Sequence, residues 1–427
     1  MGRITEVETL KTVDAVIVGG GPAGLAAAVK LYDLGMRNLV ILEREDRLGG
    51  ILKQCIHDGF GLTRFGETLS GPEYASRFIR DAEKRDISYI CDTTVVEITD
   101  AEDAGGIPMH RVIGAHEGTI VDIRAKAVIL TMGCRERTRG ALAIPGTRPA
   151  GILTAGVAQA YINLQNRMVG REVVILGSGD IGMIMARRLT LEGAHVIGVF
   201  EVMPYPSGLP RNIEQCLNDY GIPLSLSHTV TDIKGTDRLE SVTISQVDDH
   251  MTPIAGTEKE IPCDTLILSV GLIPENELSI DAGVELDPRT KGAVVDEFYQ
   301  TTVPGIFAAG NVLHVHDLVD FVSLEAEKLA CAVAEYVDKG NLPDCVLNVN
   351  SGANVGHVLP QRISGSRDFR LSLRVRKPLR GVTLTVTQGD KIVFQEKLRK
   401  ALPAEMLQVD ISQEKLDTTQ DLEVNVL

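Results

Sequence analysis

Two segments of the chain repeat one pattern of apolar and small residues. The first runs from Asp14 to Glu43 and the second from Glu172 to Glu201. In each, a β-branched run (AVIVGG, VVILGS) is typical of a buried parallel strand, and small and apolar residues at helical spacing follow it. Each segment then returns to a second strand that ends in an acid. Because only two copies occur, the duplication predicts two related nucleotide-binding domains and not a solenoid.

Short alternating runs after each repeat predict a small antiparallel excursion. The predicted excursion strands are 92–99, 110–115 and 119–131 after the first repeat, and 224–234, 239–247 and 258–271 after the second. Residues 298–312 and a helical stretch from Leu318 to Lys339 then predict a return to the first domain. Beyond about residue 346 the pattern becomes alternating strands, which predicts a separate β module such as a small sandwich.

The predicted fold class is therefore α/β, with two Rossmann-like domains that carry antiparallel excursions and a small all-β C-terminal domain. A length of 427 residues is consistent with two or three domains. The predicted boundaries are 1–150 with 298–345 for a discontinuous first domain, 151–297 for the second domain, and 346–427 for the β module.

Composition excludes some partners. The net charge of −15 and the pI of about 5.1 argue against nucleic acid, because affinity for a phosphate backbone depends on clustered Lys and Arg. The seven cysteines include no CxxC pair, so we interpret them as reduced intracellular thiols and expect no metal site.

Targeting signals are also missing from the sequence pattern. The first thirteen residues contain no apolar stretch, which argues against a secretory signal. No apolar run reaches the roughly 18 residues that a membrane span requires. The expected location is the cytoplasm.

The first repeat carries a dinucleotide-binding pattern. Gly19, Gly21 and Gly24 form G-x-G-x-x-G directly between a predicted strand and a predicted helix. The first glycine permits the tight turn, the second lets the backbone approach a pyrophosphate, and the third lets helix and strand pack closely. Glu43 follows about 20 residues later, where an acid accepts hydrogen bonds from ribose hydroxyls.

Two later segments favour FAD over NAD as the ligand of this first site. LGG at 48–50 offers a flexible backbone beside the ribityl and pyrophosphate, and PGIFAAGN at 304–311 ends a strand at Gly310 before a polar residue. The residues predicted to bind FAD are Gly19, Gly21, Pro22, Ala23, Gly24, Glu43, Arg44, Gly49, Gly50, Val95, Gly133, Gly310 and Asn311.

Together these motifs resemble the two-dinucleotide flavoproteins, the pyridine nucleotide-disulfide oxidoreductase-like family, over about residues 12–340. In most members the last motif reads Gly-Asp, and the acid accepts a hydrogen bond from the ribityl chain. Here Asn311 stands at that position. Asparagine keeps an acceptor oxygen but lacks the negative charge, so a different flavin potential is expected.

The second repeat predicts an NAD(H) site. Glu201 lies at the same distance from the glycine turn as Glu43, and a carboxylate there accepts from the adenosine ribose and repels a 2′-phosphate. LSVGLIPENE at 268–277 resembles the family segment that passes beside the nicotinamide ribose. The residues predicted to bind NAD(H) are Gly177, Ser178, Gly179, Asp180, Ile181, Gly182, Glu201 and Gly271.

The cofactor pair implies hydride transfer between nicotinamide and flavin, which requires no side-chain acid or base. The resemblance implies a redox C-x4-C pair after LGG, but Leu52 and His57 occupy those positions. Cys55 and His57 remain candidate catalytic residues, Cys55 as an oxidisable thiol or a packing residue. His314, His316 and Asp317 are predicted either near the isoalloxazine or as caps of the following helix.

Longer stretches such as GGILKQCIHDGFGLTRFGETLSGPEY and AAGNVLHVHDLVD resemble a narrower branch. It is the FAD/NAD subunit encoded with glycerol-3-phosphate dehydrogenase-like proteins, related to subunits of amino acid, opine and sarcosine oxidising complexes. The resemblance implies that the partner is a second flavoprotein dehydrogenase, with an iron–sulfur or small accessory protein as a further candidate and an oligomer allowed. The C-terminal β module is the predicted docking surface.

The leading hypothesis is an FAD-dependent NADH oxidoreductase that works as the electron-transfer subunit of such a complex, without a redox-active disulfide. Two alternatives stay open. One is a stand-alone NADH oxidase or peroxidase that uses Cys55. The other is a flavin-binding structural or sensing subunit in which nicotinamide does not turn over.

Overall fold

The structure is a computed structural model that describes residues 11–104 and 107–427. Most of the N-terminal stretch in which no secretory signal was expected lies outside these residues. Within the described part of the chain, no helix is long and apolar enough to cross a membrane.

The described chain divides into two compact units. One contains the residues up to Cys134 together with Pro274–Leu427, and the other is Arg135–Ile273. Two short strands, Cys134–Glu136 and Leu272–Pro274, lie where the chain passes from one unit to the other.

The first unit is built on a sheet whose centre is parallel. The first strand, Lys11–Val18, pairs in parallel with Leu39–Leu42 on one side and Thr119–Leu130 on the other. Alternate residues of this strand face two cores: Ala15 and Ile17 pack against helices, and Val16 and Val18 pack on the opposite face. The period-2 alternation of a strand buried on both faces explains its continuous apolar run.

Most of the other strands of this part of the first unit extend the sheet, and helices cover it. Asp58–Phe60 and Leu69–Ser70 instead form a separate antiparallel pair. The strands are Lys11–Val18, Leu39–Leu42, Asp58–Phe60, Leu69–Ser70, Ser88–Ile90, Thr93–Ala104, Ile107–His116, Thr119–Leu130 and Ile306–Ala308, and the α-helices are Pro22–Asp33, Leu62–Phe65, Gly71–Lys84, Glu277–Asp281 and Val319–Lys339. The predicted antiparallel excursion is present, because Ile107–His116 pairs antiparallel with both of its neighbours. Ile306–Ala308 returns from late in the chain to pair in parallel with Thr119–Leu130.

The second unit repeats the plan. A parallel sheet of five strands is followed by a three-stranded antiparallel sheet, which is the second predicted excursion. The predicted strands 224–234 and 258–271 are each divided between these two sheets. In sheet order the strands are Ile152–Thr154, Thr265–Leu268, Glu172–Leu176, His195–Glu201 and Leu224–Leu226, then His228–Gly235, Leu239–Gln246 and Lys259–Pro262; the α-helices are Arg139–Leu142, Ala155–Gln165, Asp180–Leu191 and Pro210–Asn212.

The C-terminal residues form two sheets around one apolar core, the arrangement of a sandwich. The five-stranded sheet contains Arg362–Ile363, Leu347–Ser351, Leu422–Val426, Leu379–Gln388 and Lys391–Ala401, and the three-stranded sheet contains Val355–Leu359, Phe369–Val375 and Leu407–Ile411. The fold class predicted from the sequence is thus confirmed. Leu347–Ser351, Val355–Leu359 and Leu407–Ile411 were not predicted as strands.

The C-terminal sandwich belongs to the first unit and is fastened to it by specific contacts. Gln361 donates its backbone N–H to the carbonyl of Val295 (3.0 Å) and accepts from the N–H of Val295 at its side-chain oxygen (3.0 Å). Arg374 donates to the carbonyl of Val315 (3.1 Å) and lies 3.5 Å from a carboxylate oxygen of Asp317. Asp317 therefore contacts the sandwich.

The unit boundaries lie earlier in the sequence than the predicted domain boundaries at 150 and 297. The segment after Cys134 belongs to the second unit because Thr147 donates its backbone N–H to the carbonyl of Ile233 (2.9 Å). The segment after Ile273 belongs to the first unit because Asn276 donates to the carbonyl of Val312 (2.8 Å). The assignment of one cofactor to each domain remains a proposal.

Candidate functional site

Two glycines of the first turn are required by the packing of the protein itself. Gly19 has a φ of 108°, and a Cβ there would lie 2.6 Å from the carbonyl oxygen of Thr131. A Cβ on Gly24 would lie 1.9 Å from the carbonyl oxygen of Gly19, so the helix could not approach the strand end. Both positions exclude every larger residue.

Gly21 differs, because nothing in the protein requires a glycine there. The nearest atom to a Cβ on Gly21 would be the Cα of Gly50 at 3.9 Å, an ordinary contact distance. Gly21 is also the N-cap of the helix Pro22–Asp33, which has no side-chain cap and no acid in its first turn. A backbone left open at an uncapped helix N-terminus suits the pyrophosphate of a dinucleotide, so these residues fit FAD.

Glu43 connects the second strand to this turn. The carboxylate is buried, and one oxygen accepts from the backbone N–H of Gly20 (2.7 Å) while the other accepts from that of Glu45 (2.9 Å). Each oxygen keeps a lone pair that a ribose hydroxyl can use. Gly20 was not predicted as a site residue, although a Cβ there would lie 2.4 Å from a methyl carbon of Leu48.

The return motif lies against the first turn. A Cβ on Gly310 would lie 3.0 Å from the Cβ of Ala23, so the structure brings these two predicted residues together. Gly50 approaches Gly21 from the LGG segment, with a φ of 54°. Of the other predicted FAD residues, Pro22 is the first helical residue, Val95 is buried in a strand, Gly49 and Gly133 have positive φ, and Arg44 is exposed.

Asn311 uses its amide within the protein. The side-chain oxygen accepts from the backbone N–H of His316 (3.0 Å) and lies 3.3 Å from the Nδ1 of the same residue, while the amide nitrogen lies 3.6 Å from the Sγ of Cys134. The acceptor oxygen that was predicted to serve a ribityl hydroxyl is thus already engaged. A ribityl hydroxyl at this oxygen competes with His316.

In the second turn, as in the first, packing restricts the first and third glycines more than the middle one. Gly177 has a φ of 96°, and a Cβ there would lie 2.1 Å from the carbonyl oxygen of Ser269; a Cβ on Gly182 would lie 2.6 Å from the Cβ of Ser269. Gly179 is again the least restricted, with 3.3 Å to the nearest atom. The helix that follows, Asp180–Leu191, has no side-chain cap at Gly179, and unlike the first helix it has an acid in its first turn, Asp180, which accepts two hydrogen bonds from the protein. This turn fits a second pyrophosphate.

Glu201 is buried and heavily hydrogen-bonded. Its Oε2 accepts from the backbone N–H (2.9 Å) and hydroxyl (2.6 Å) of Ser178 and from the hydroxyl of Ser207 (2.7 Å). Its Oε1 accepts only from the backbone N–H of Met203 (3.0 Å) among the hydrogen bonds of the described residues. Oε1 therefore keeps a lone pair that a ribose hydroxyl could use, whereas at Oε2 such a hydroxyl would compete with Ser207.

The segment after Glu201 folds back onto the second turn. Leu209 donates its backbone N–H to Asp180 (2.8 Å), and Asn212 donates its amide to the same carboxylate oxygen (2.6 Å). Asp180 is therefore occupied in holding this segment. The other predicted residues here are Ile181, half-buried in the helix, and Gly271, which has a φ of 101° and open space around it.

The matching family model is that of the pyridine nucleotide-disulphide oxidoreductases, and it matches residues 13–334. This range contains both glycine turns and the return motif. The chain belongs to that family. Its cofactors, FAD and a nicotinamide dinucleotide, are those predicted from the two turns, and the chain is a flavoprotein oxidoreductase by family.

Several relatives are named as parts of larger enzymes. An opine oxidase subunit of Agrobacterium tumefaciens is 26% identical over 316 residues, which are 70% of this chain and 61% of that protein. The glutamate synthase [NADPH] small chain of Mycobacterium tuberculosis is 27% identical over 360 residues, 75% of this chain and 66% of the relative. The chain thus spans 61 to 66% of the length of these relatives.

Solved structures show the same fold. Thioredoxin reductase of T. acidophilum has a TM-score of 0.61 and 26% identity, covering 76% of this chain and 98% of that chain. Thioredoxin reductase of Lactococcus lactis has a TM-score of 0.62 and 23% identity, covering 77% of this chain and 99% of that chain.

The environment of the Cys55 thiol does not favour redox chemistry. Burial raises the pKa of the Cys55 thiol to about 12, and the Sγ lies 3.4 Å from the carbonyl oxygen of Ile51. Since the thiolate is the reactive form, almost all of this sulfur is inert at neutral pH. His57 lies beside Phe60, with 4.9 Å between ring centroids, and its Nδ1 is 3.0 Å from the carbonyl oxygen of Asp58.

Replacing Cys55 with serine is expected to leave the rate of NADH oxidation by a dye acceptor unchanged, because the raised pKa of this half-buried thiol leaves little thiolate at neutral pH. Steady-state rates of the two proteins with and without peroxide provide the measurement. Loss of a peroxide-dependent rate in the serine variant would instead support the oxidase or peroxidase alternative.

A buried cluster follows the return motif and was only partly anticipated. Glu325, on the long helix Val319–Lys339, accepts from the backbone N–H of Gly310 at Oε1 (2.7 Å). Its Oε2 lies 2.9 Å from the Nε2 of His314 and 3.4 Å from the Nε2 of His316. Burial alone would raise the pKa of Glu325, but the imidazoles of His316 and His314 hold this pKa well below its usual range.

Proposed function

We propose that the chain is an FAD-dependent NADH:acceptor oxidoreductase, the electron-transfer subunit of a complex whose second flavoprotein oxidises glycerol 3-phosphate or a related small substrate. The observation that carries the proposal is the pair of glycine turns. In each, the middle glycine is the one that the protein's own packing restricts least, and it begins a helix without a side-chain cap. Two such turns in one chain support two dinucleotide ligands.

The bound flavin would supply the chemistry, by exchanging a hydride at N5 with C4 of the nicotinamide. The residues of the chain bind and orient the two dinucleotides. Gly21 and Gly179 leave room for the pyrophosphates, and Glu43 and Glu201 accept from the riboses. No side chain is required to move a proton, which is consistent with the inert thiol of Cys55, and we propose that no dithiol takes part.

The preference for NADH over NADPH depends on Glu201. A 2′-phosphate would have to enter next to a buried carboxylate whose hydrogen bonds hold it in place. A phosphate and a carboxylate that lie next to each other in a partly desolvated site repel each other strongly. The expected physiological nicotinamide is therefore NAD(H).

The names of two relatives and the position of the C-terminal sandwich support the assignment of a partner protein. The opine oxidase subunit and the glutamate synthase small chain are by name parts of larger assemblies. The C-terminal sandwich lies outside the family match, which ends at residue 334, and it contacts the loop after the return motif through Arg374. We propose the sandwich as the docking surface for the dehydrogenase partner, and the cytoplasm as the location.

Anaerobic reduction of the purified flavin-loaded protein tests the function. NADH is expected to bleach the flavin absorbance rapidly, NADPH slowly, and glycerol 3-phosphate not at all without the partner protein. Faster reduction by NADPH would contradict the argument from Glu201. A flavin that neither nicotinamide reduces would instead favour a structural or sensing subunit.

A further inference from the structure

The cluster of His314, His316 and Glu325 brings two imidazoles and one carboxylate to a single point. Their ligand atoms all lie within 4.8 Å of one another, and the two imidazole centroids are 4.1 Å apart. The exposed fractions of the three side chains are 1%, 3% and 9%. Three potential ligands for a metal ion are therefore gathered away from bulk water.

The hydrogen bonds of His316 leave an unexplained contact. Its Nδ1 faces the side-chain oxygen of Asn311 (3.3 Å), which must be an oxygen because it also accepts the backbone N–H of His316. The other nitrogen of the same ring, Nε2, faces Glu325 Oε2. A ring nitrogen and a carboxylate oxygen in this position need a cation between them, either a proton or a metal ion.

The distances favour a metal ion over a proton as that cation. A charge-assisted N–H···O bond is about 2.7–2.9 Å long, whereas His316 Nε2 and Glu325 Oε2 are 3.4 Å apart. Ligands held about 2.0–2.1 Å from a metal at octahedral or tetrahedral angles lie roughly 2.9–3.4 Å from each other. The 3.4 Å separation of His316 fits that range and not a charge-assisted hydrogen bond, whereas the 2.9 Å separation of His314 fits both.

The surrounding contacts orient two of the three ligands as they do in metal sites. Asn311 holds the far nitrogen of His316, and the N–H of Gly310 holds the far oxygen of Glu325. Such second contacts fix which atom each ligand presents to the metal. In addition, His314 Nδ1 and His357 Nε2 are buried without a hydrogen-bond partner in the described ranges, which marks polar space that the protein alone does not satisfy.

We propose that His314, His316 and Glu325 bind one divalent transition-metal ion of the Zn²⁺ or Fe²⁺ class. Two imidazoles with one carboxylate suit these ions and not Mg²⁺ or Ca²⁺, which prefer oxygen ligands. Three protein ligands leave at least one coordination position for water or a small molecule. This site does not depend on the nicotinamide assignment.

Metal titration of the flavin-loaded protein tests the proposal. After treatment with a chelator, the wild type is expected to bind one equivalent of Zn²⁺ per chain, measured by atomic emission. Co²⁺ is expected to bind with the same stoichiometry and to give a visible d–d band that Zn²⁺ abolishes. Both measurements are independent of catalytic turnover.

Variants separate this site from adventitious binding. Glu325→Gln keeps an acceptor for Gly310 but loses the anionic ligand, and His316→Gln loses one imidazole; each is expected to weaken Zn²⁺ binding at least about tenfold. His195→Gln is the matched control, since this exposed imidazole binds only Glu172 among the hydrogen bonds of the described residues. Equal affinity in all four proteins, or no cobalt band in the wild type, would overturn the proposal.

Discussion

Replacing Gly24 with alanine is expected to lower the free energy of unfolding by about 1–3 kcal/mol, the usual cost of forcing an extra methyl into a packed site. The added Cβ would lie 1.9 Å from the carbonyl oxygen of Gly19, so helix and strand must separate. We expect a lower midpoint in chemical denaturation and little bound flavin in the purified variant.

Gly21→Ala is the matched control, because it adds the same methyl to the same turn. Its φ of −78° and ψ of −170° are allowed for alanine, and no protein atom lies closer than 3.9 Å to the new Cβ. We expect unchanged stability of the flavin-free protein and at least about tenfold weaker FAD binding, a difference of about 1.4 kcal/mol. If Gly21→Ala binds FAD as the wild type does, the pyrophosphate does not lie against this turn.

Replacing Glu201 with glutamine is expected to reduce kcat/KM for NADH by roughly 10–100-fold, because hydrogen bonds to a charged group contribute about 1.5–3 kcal/mol. Loss of the negative charge also removes the repulsion of a 2′-phosphate. The ratio of kcat/KM for NADH to that for NADPH should therefore fall further toward one, as measured with a dye acceptor.

Glu172→Gln provides the comparison for Glu201, since Glu172 is exposed at the start of a strand of the same unit. It should leave both kinetic constants and their ratio as in the wild type. A Glu201→Gln variant that keeps the full preference for NADH would show that selectivity arises elsewhere in the second unit.

Local pattern was sufficient for most of the fold. The glycine spacing predicted both turns. The pattern of apolar residues predicted both excursions and the long helix, which begins at Val319 and ends at Lys339. Three strands of the sandwich, Leu347–Ser351, Val355–Leu359 and Leu407–Ile411, were missed because each run is only five residues long and its partner lies elsewhere in the sequence. The unit boundaries could not be read from pattern either, since they depend on contacts such as that of Asn276 with Val312.

The candidate site was predictable where chemistry follows spacing along the chain. Glu43 and Glu201 were selected by their spacing from the turns, and their role at the riboses remains a proposal. The hydrogen bonds from the turns to both carboxylates were not predicted. The cluster around Glu325, in contrast, could not be predicted from spacing along the chain. No metal site was expected because the cysteine spacings offered none, and the inward face of the long helix is set only when it packs beside Gly310.

The return of Ile306–Ala308 to the first sheet also determines the order in which the two units can fold during synthesis. This strand pairs with Thr119–Leu130, yet the whole of Arg135–Ile273 leaves the ribosome before it. The inserted unit has all of its strands available while the first sheet still lacks Ile306–Ala308 and the long helix that covers it. We therefore expect the nascent chain to close its second nucleotide fold before its first, with the earlier sheet edge open to premature pairing until residue 308 emerges.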